Sequence, residues 1–188
     1  TTRLAAIPHL KKIRWHSRVP VVEPGWISPE LVHALVSPRT QVIVAVHANH
    51  PREFSREACA AIARLSSAGI RLLSQSVLLR GVNDNVETLE ALLAAFVENN
   101  VRPYYIHHAD LAPGTSHFRT TIARGRELVK DLSERRTAMP NYVLDLPGGW
   151  SKVDLMSDAA QQVTTGHWRL RDDIGQWHDY REDASLLG

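Results

Sequence analysis

The residues able to do chemistry gather in four short stretches. His47, Asn49 and His50 lie close together. Gln75 leads on to Arg80 and Asn83. His107 and His108 come just before Asp110, and Asp145 runs into Pro147-Gly148-Gly149 and then Lys152. His47, His50, His107, His108 and Asp110 carry the nitrogen and oxygen donors that a divalent metal takes, the donor set of a metal-dependent hydrolase. Each residue also has a plainer reading. An aspartate after a strand is commonly a turn residue or a helix cap. A single lysine is commonly a solvated surface charge, and paired glycines commonly supply positive φ in a turn. The histidines can be satisfied within their loops, and Arg80 with Asn83 can steady a turn. Position favours chemistry for the set as a whole: its members fall at one predicted edge of the sheet, the carboxyl ends of the strands, where parallel α/β folds build their sites.

The elements that must place them there alternate between strand and helix. Ile13 to Val22 is predicted as a strand running into Pro20 and Pro24. Ser28-Pro29-Glu30 opens a helix, since serine accepts from the free amides and proline at the first helical position wastes no donor. Leu31, Leu35 and Val36 are predicted to form its apolar face. Gln41 to Val46 is a β-branched run suited to a strand buried on both faces. Ser55 to Ser67 is predicted helical, with Ala58, Ala61, Ile62 and Leu65 on one side and Gly69 as its C-terminal cap. A strand follows from Ile70 to Leu79, a turn over Gly81–Asn85, and an amphipathic helix from Val86 to Asn99. Val101 to His107 reads as a strand, His117 to Arg135 as mostly helix, and Asn141 to Asp145 as a last short strand. Thr164 to Tyr180 reads as a β-hairpin around Asp172-Asp173-Ile174-Gly175, with Trp168 and Trp177 in opposite arms.

This alternation implies a parallel sheet with right-handed crossovers. About four βα units are visible in the 188 residues, too few for a closed eight-unit barrel. The fold class is therefore α/β, an open sheet or part of a (β/α) barrel. Residues 1–155 are expected to form this α/β part, and residues 156–188 a β-hairpin extension and tail.

Composition removes several classes of function. The 22 basic and 20 acidic side chains leave a formal net charge of +2, and no dense basic run makes a case for nucleic acid. Cys59 is the single cysteine, so no disulfide forms within the chain and a cytoplasmic setting is expected. No stretch approaches the ~20 apolar residues of a membrane span. The first residues lack the pattern of a secretory signal, and no initiator methionine is present, so a processed product or a piece of a longer chain is expected.

Five segments then stand out together: IRWHSRVPVVEP (Ile13–Pro24), HANHPREF (His47–Phe54), QSVLLRGVNDN (Gln75–Asn85), RPYYIHHADLAPGTSHFRT (Arg102–Thr120) and YVLDLPGGWSK (Tyr142–Lys152). In order and spacing they resemble the lysine 2,3-aminomutase family, nearest in flavour to the bacterial branch that makes β-lysine for modifying an elongation factor. The resemblance implies the carboxy-terminal half of a radical isomerase that moves the amino group of L-lysine from C2 to C3. It implies a partial barrel of the radical S-adenosylmethionine type and three cofactors: pyridoxal phosphate, S-adenosylmethionine and a [4Fe–4S] cluster. In such enzymes the cofactors carry the chemistry while the protein supplies position and electrostatics.

Residue by residue, Lys152 matches the family's Schiff-base lysine, whose amine attacks an aldehyde. Asp110 and Asp145 match the carboxylates that hold the substrate's ε-ammonium. Two anions at one site favour a cationic side chain over an acidic one such as glutamate. Gln75 matches a position near the cofactor phosphate, and His47 a position near S-adenosylmethionine. No residue of this chain matches a metal ligand.

The sequence departs from the family in one large respect. The family ligates its cluster through a C-x3-C-x2-C loop, and these cysteines are absent from the 188 residues. The isolated chain is therefore expected to need an upstream half carrying that loop, in the same or a separate polypeptide. The stretch Leu132 to Pro140 is also shorter than the family pattern. Two other readings stand beside this one: the metal-dependent barrel hydrolase, and a non-catalytic remnant that binds pyridoxal phosphate or lysine. An open sheet edge would leave strand groups unpaired, so association, including a homo-oligomer, is expected.

Overall fold

The computed structural model describes residues 1–182 except Thr137 and Trp150. Residues 183–188 of the predicted tail, and Trp150 of the glycine turn, lie outside the described residues. The helices are α1 (Thr2–Ala5), α2 (Val19–Val22), α3 (Pro29–Leu35), α4 (Arg56–Ser67), α5 (Val86–Glu98) and α6 (Ile122–Arg135). The strands are β1 (Lys12–Ser17), β2 (Gln41–His47), β3 (Arg71–Val77), β4 (Arg102–His107), β5 (Asn141–Asp145), β6 (Lys152–Asp154), β7 (Ala160–Thr164), β8 (His167–Arg171) and β9 (Trp177–Arg181). Strands β1 to β6 form one sheet in chain order, and β7 to β9 form a second. The fold is thus mixed α/β, with parallel pairing of β1 to β2, β2 to β3 and β4 to β5. The chain divides into two compact units, Thr1–Gln75 with Ala91–Tyr104, and Ser76–Glu90 with Tyr105–Gly188.

In the first unit β2 is paired on both edges by parallel neighbours, and helices cover the face that carries alternate residues of its apolar run. Val42, Val44 and Val46 pack with Ala61, Ile62 and Leu65 of α4 and with Leu92 and Phe96 of α5. Removing such side chains from water stabilises by about 1.5–3 kcal/mol each for the larger ones, so this cluster holds the sheet to its helices. Phe54 meets Phe96 edge to face, with centroids 5.0 Å apart. Ser55 caps α4 by accepting from the Ala58 amide, and Gly69 just past the helix end has φ of +77°.

Two expectations for this unit are corrected. The first strand stops at Ser17 rather than continuing to Val22. Ser17 Oγ accepts from the Val19 amide, the Val21 and Val22 amides donate to the Arg18 carbonyl, and Pro20 lies in the first turn of the short helix that results, where its missing N–H is not needed. In α3 the buried residue is Val32, while Leu31 and Val36 are exposed. Leu35, also expected on the apolar face, is partly buried and packs against the same core as Val32, so the inward face of this seven-residue helix is Val32 with Leu35.

In the second unit Ile122, Leu128, Val129 and Leu132 give α6 its buried face. Gly125 lies on that face because the phenol of Tyr142 occupies the space a β-carbon would take. The helix begins at Ile122, with Thr121 accepting from the Arg124 amide; His117 and Phe118, where the helix was expected to begin, lie instead in a 3-10 turn over Ser116–Phe118. The predicted hairpin is present as β8 and β9, with Trp168 opposite Tyr180 and Trp177 opposite Arg171. Asp172 Oδ1 shapes its turn by accepting from the Ile174 and Gln176 amides. Sequence reasoning missed β7, the third strand of this sheet, and β6, which returns antiparallel to β5. Among the described residues no helix is long and apolar enough to cross a membrane.

Candidate active site

The site in the second unit is assembled by strand register. Side chains alternate along a strand, so Tyr105 and His107 share one face of β4. His107 lies opposite Val143 in β5. The chain leaves β5 at Asp145 and turns through Gly148 and Gly149, whose φ values of +88° and +75° suit glycine alone without strain. The turn is closed by the Leu146 amide donating to the Ser151 carbonyl at 2.9 Å. The returning strand places Lys152 directly opposite Asp145.

The two carboxylate oxygens of Asp145 then have different partners. Lys152 Nζ donates to Oδ1, and His107 Nδ1 hydrogen-bonds Oδ2 at 3.0 Å. The Lys152 ammonium also lies 5.2 Å from the centre of the Tyr105 ring, a cation–π arrangement. Burial pushes the Asp145 carboxyl upward, but the hydrogen bonds and charges of Lys152 and His107 outweigh it and hold the group below its ordinary value. Asp110, in the loop after β4, is pushed the other way, by burial first and by the charge of Asp145 second, with Lys152 partly offsetting both. Two carboxyls with diverging proton affinities thus share a locality. Both line a cavity of about 420 Å³, together with Leu111, Leu144, Pro147 and Tyr180.

The structure therefore brings Asp110, Asp145 and Lys152 together. His47 and Gln75 lie in the first unit, where they are register partners in β2 and β3. Gln75 Oε1 hydrogen-bonds His16 Nδ1 at 2.5 Å. His47 Nε2 meets Asn49 Oδ1 at 3.2 Å, and burial, reinforced by Arg18, pushes its pKa down. Glu53 organises the adjoining loop: Oε1 accepts from the Asn49 and His50 amides, while Oε2 pairs with Arg18 at 2.6 Å.

The donors of the hydrolase reading have other partners. His50 Nδ1 accepts from the Arg52 amide. His108 is buried against the Tyr142 hydroxyl at 2.8 Å, where burial and the nearby Arg119 charge lower its pKa to about 4. Among the described residues no three His, Cys, Asp or Glu side chains converge as a metal site.

Sequence reasoning assigned no binding role to His16, Arg18, Glu53 or Tyr105, and treated His107 as a metal donor. The signal available for His107 was its two-residue spacing from Tyr105. Its bond to Asp145 depends on the pairing of β4 with β5, which no local pattern encodes.

No family model matches the chain. Its sequence is similar to the L-lysine 2,3-aminomutase of Acetoanaerobium sticklandii, with 44% identity over 156 residues, covering 82% of this chain and 37% of that protein. It is similar to the L-lysine 2,3-aminomutase of Methanococcus maripaludis, with 41% identity over 189 aligned residues, covering 100% of this chain and 43% of that protein. The L-lysine 2,3-aminomutase of Escherichia coli strain K12 is 37% identical over 163 residues, 86% of this chain and 48% of its own length. The chain thus spans less than half the length of these curated relatives.

Proposed function

The chain belongs to the lysine 2,3-aminomutase family, and on that premise we propose that it is the portion of such an isomerase that holds L-lysine and pyridoxal phosphate. The whole enzyme would move the substrate's amino group from C2 to C3, giving β-lysine. The observation that carries this reading is the ion pair of Lys152 with Asp145 beside a cavity that Asp110 also lines. Strands β1 to β5 with their helices are read as part of a barrel of radical S-adenosylmethionine type, with residues 1–155 as that part and 156–188 as an extension. A single cysteine supports a cytoplasmic setting.

The residues present fit pyridoxal phosphate. Lys152 supplies the primary amine that an aldehyde requires, and its side chain is 29% exposed and so reachable. When bound, the cofactor would supply a conjugated ring able to delocalise an unpaired electron. Gln75 is assigned to the neighbourhood of its phosphate and His47 to that of S-adenosylmethionine. The residues do not fit a [4Fe–4S] cluster, which takes several thiolates. Cys59 is the single cysteine, and its Sγ donates to the Phe54 carbonyl at 3.7 Å. Cluster ligation therefore falls, in this reading, to an upstream half of the family sequence outside the match.

The chain's own residues have defined tasks. Asp145 exchanges one cation for another, releasing Lys152 and accepting the ε-ammonium of lysine through the same kind of charge-assisted bond. His107 keeps the second oxygen of Asp145 engaged and so fixes the plane of the carboxylate. Asp110, which lines the same cavity, supplies the second negative charge. Together they select a side chain ending in an ammonium.

Calorimetric titration in the presence of pyridoxal phosphate tests this, comparing L-lysine with L-norleucine, which lacks the ε-ammonium. Lysine is expected to bind at least about tenfold more tightly, roughly 1.4 kcal/mol, and Asp145→Asn to abolish the preference. Equal binding of the two amino acids would sink the proposal.

A further inference from the structure

We infer that Arg119 is the positioning residue that sets Asp110 against the acidic cavity. The inference rests on the reading of Asp110 as a partner for the substrate ammonium, and it names the residue that makes that partner effective. Residues 108–115 lie in no helix or strand. An aspartate on such a segment points wherever the backbone lets it, and ordering it costs conformational entropy. Arg119 removes that freedom. It is only 7% exposed. Its Nε donates to the Asp110 carbonyl at 3.1 Å, and one Nη donates to the Ala112 carbonyl at 2.6 Å and to Thr115 Oγ1 at 3.4 Å. Thr115 in turn donates its hydroxyl to the Ala112 carbonyl at 2.7 Å. One planar guanidinium thus holds the backbone on both sides of Leu111, and Asp110, Leu111 and Ala112 all line the cavity.

The anchor itself is held in place. Arg119 follows the 3-10 turn Ser116–Phe118 and donates its amide to the Ser116 carbonyl at 3.1 Å. Arg80 grips the same turn, its amide donating to the Phe118 carbonyl and its Nε to the His117 carbonyl. Taking a guanidinium out of water is costly unless acceptors replace the solvent, and here loop carbonyls do so. Lysine cannot substitute, because a single ammonium does not present the flat, divergent donors that reach two carbonyls at once.

The test follows the Asp110 side-chain carboxyl by carbon NMR through a pH titration, in the wild type, Arg119→Ala and Arg119→Lys. In the wild type its midpoint is displaced upward from the ordinary 3.8. If Arg119 positions the loop, Arg119→Ala lets the carboxyl swing into water and its midpoint falls to the ordinary value. Arg119→Lys falls part of the way although it keeps the charge, and free guanidinium added to Arg119→Ala restores the displacement. If Arg119 acts only as a nearby cation, Arg119→Ala raises the midpoint further and Arg119→Lys leaves it unchanged; that result, or no change in either variant, overturns the inference. Should Arg119→Ala fail to fold, Arg119→Lys decides alone by the same signs. A lysine titration on the same samples separates the two ideas. A wild type that binds no lysine sinks the functional reading, while the Asp110 midpoint still decides the role of Arg119.

Discussion

Asp145 and Lys152 face one another in register across the antiparallel pair of β5 and β6, and the ammonium of one donates to the carboxylate of the other. The backbone, not the reach of a long side chain, brings them together, so the pairing does not depend on trapping a mobile lysine at random. The cation that the site is read to bind from outside is, in the free chain, supplied from within.

Removing that internal cation should open the carboxylate. Lys152→Met is expected to bind n-butylammonium more tightly than the wild type does. Asp145 is about half exposed, where ion pairs contribute at most about 1 kcal/mol, so the gain should be about fivefold. The shift of the Asp145 carboxyl carbon with added amine reads it out. Equal affinity in the two proteins would show that Lys152 does not occupy the ammonium position.

Acid should unfold the protein partly through His108. Its midpoint lies at about 4 in the folded chain, against an ordinary 6.5, so the unfolded chain takes up the proton first as pH falls. The stability that this histidine contributes is complete above pH 6.5 and is lost progressively down to about pH 4. The full loss is about 3 kcal/mol, the free-energy equivalent of that displacement. Urea melts across this window should show the decline in the wild type and a flatter profile in His108→Gln; parallel profiles would contradict it.

Gly125→Ala sets two effects against each other. In a helix interior alanine stabilises by about 1 kcal/mol relative to glycine. At this position the added carbon meets the Tyr142 phenol, which is fully buried and bonded to His108. Overpacking of this kind costs about 1–3 kcal/mol, so the variant is expected to be less stable than the wild type, as a denaturant midpoint will show. A more stable variant would mean that the phenol moves away freely.

The sequence made legible those elements whose reasons are local. The β-branched run of β2 and the helical spacing of Ala58, Ala61, Ile62 and Leu65 announce a buried strand and an amphipathic helix, and both are found. The end of β1 was misjudged because Pro20 can stop a strand or begin a helix, and Ser17 and Arg18 tip it toward the helix. β6 escaped notice because it is three residues long and exists only through pairing with β5. β7 escaped because its sequence AQQVT buries only Ala160. The grouping of Asp110, Asp145 and Lys152 was readable from their positions at strand ends. The roles of His107 and Arg119 were not, since the first depends on register between strands and the second on backbone carbonyls that carry no sequence signature.

The most direct test of the account is to treat the chain with pyridoxal phosphate, reduce with borohydride and locate the label by peptide mass spectrometry. The chain has four lysines: Lys11, Lys12, Lys130 and Lys152. Label confined to the peptide containing Lys152, and lost in Lys152→Met, is the predicted result. Label spread over Lys11, Lys12 and Lys130, or undiminished in Lys152→Met, would contradict the assignment of Lys152 as the cofactor's lysine.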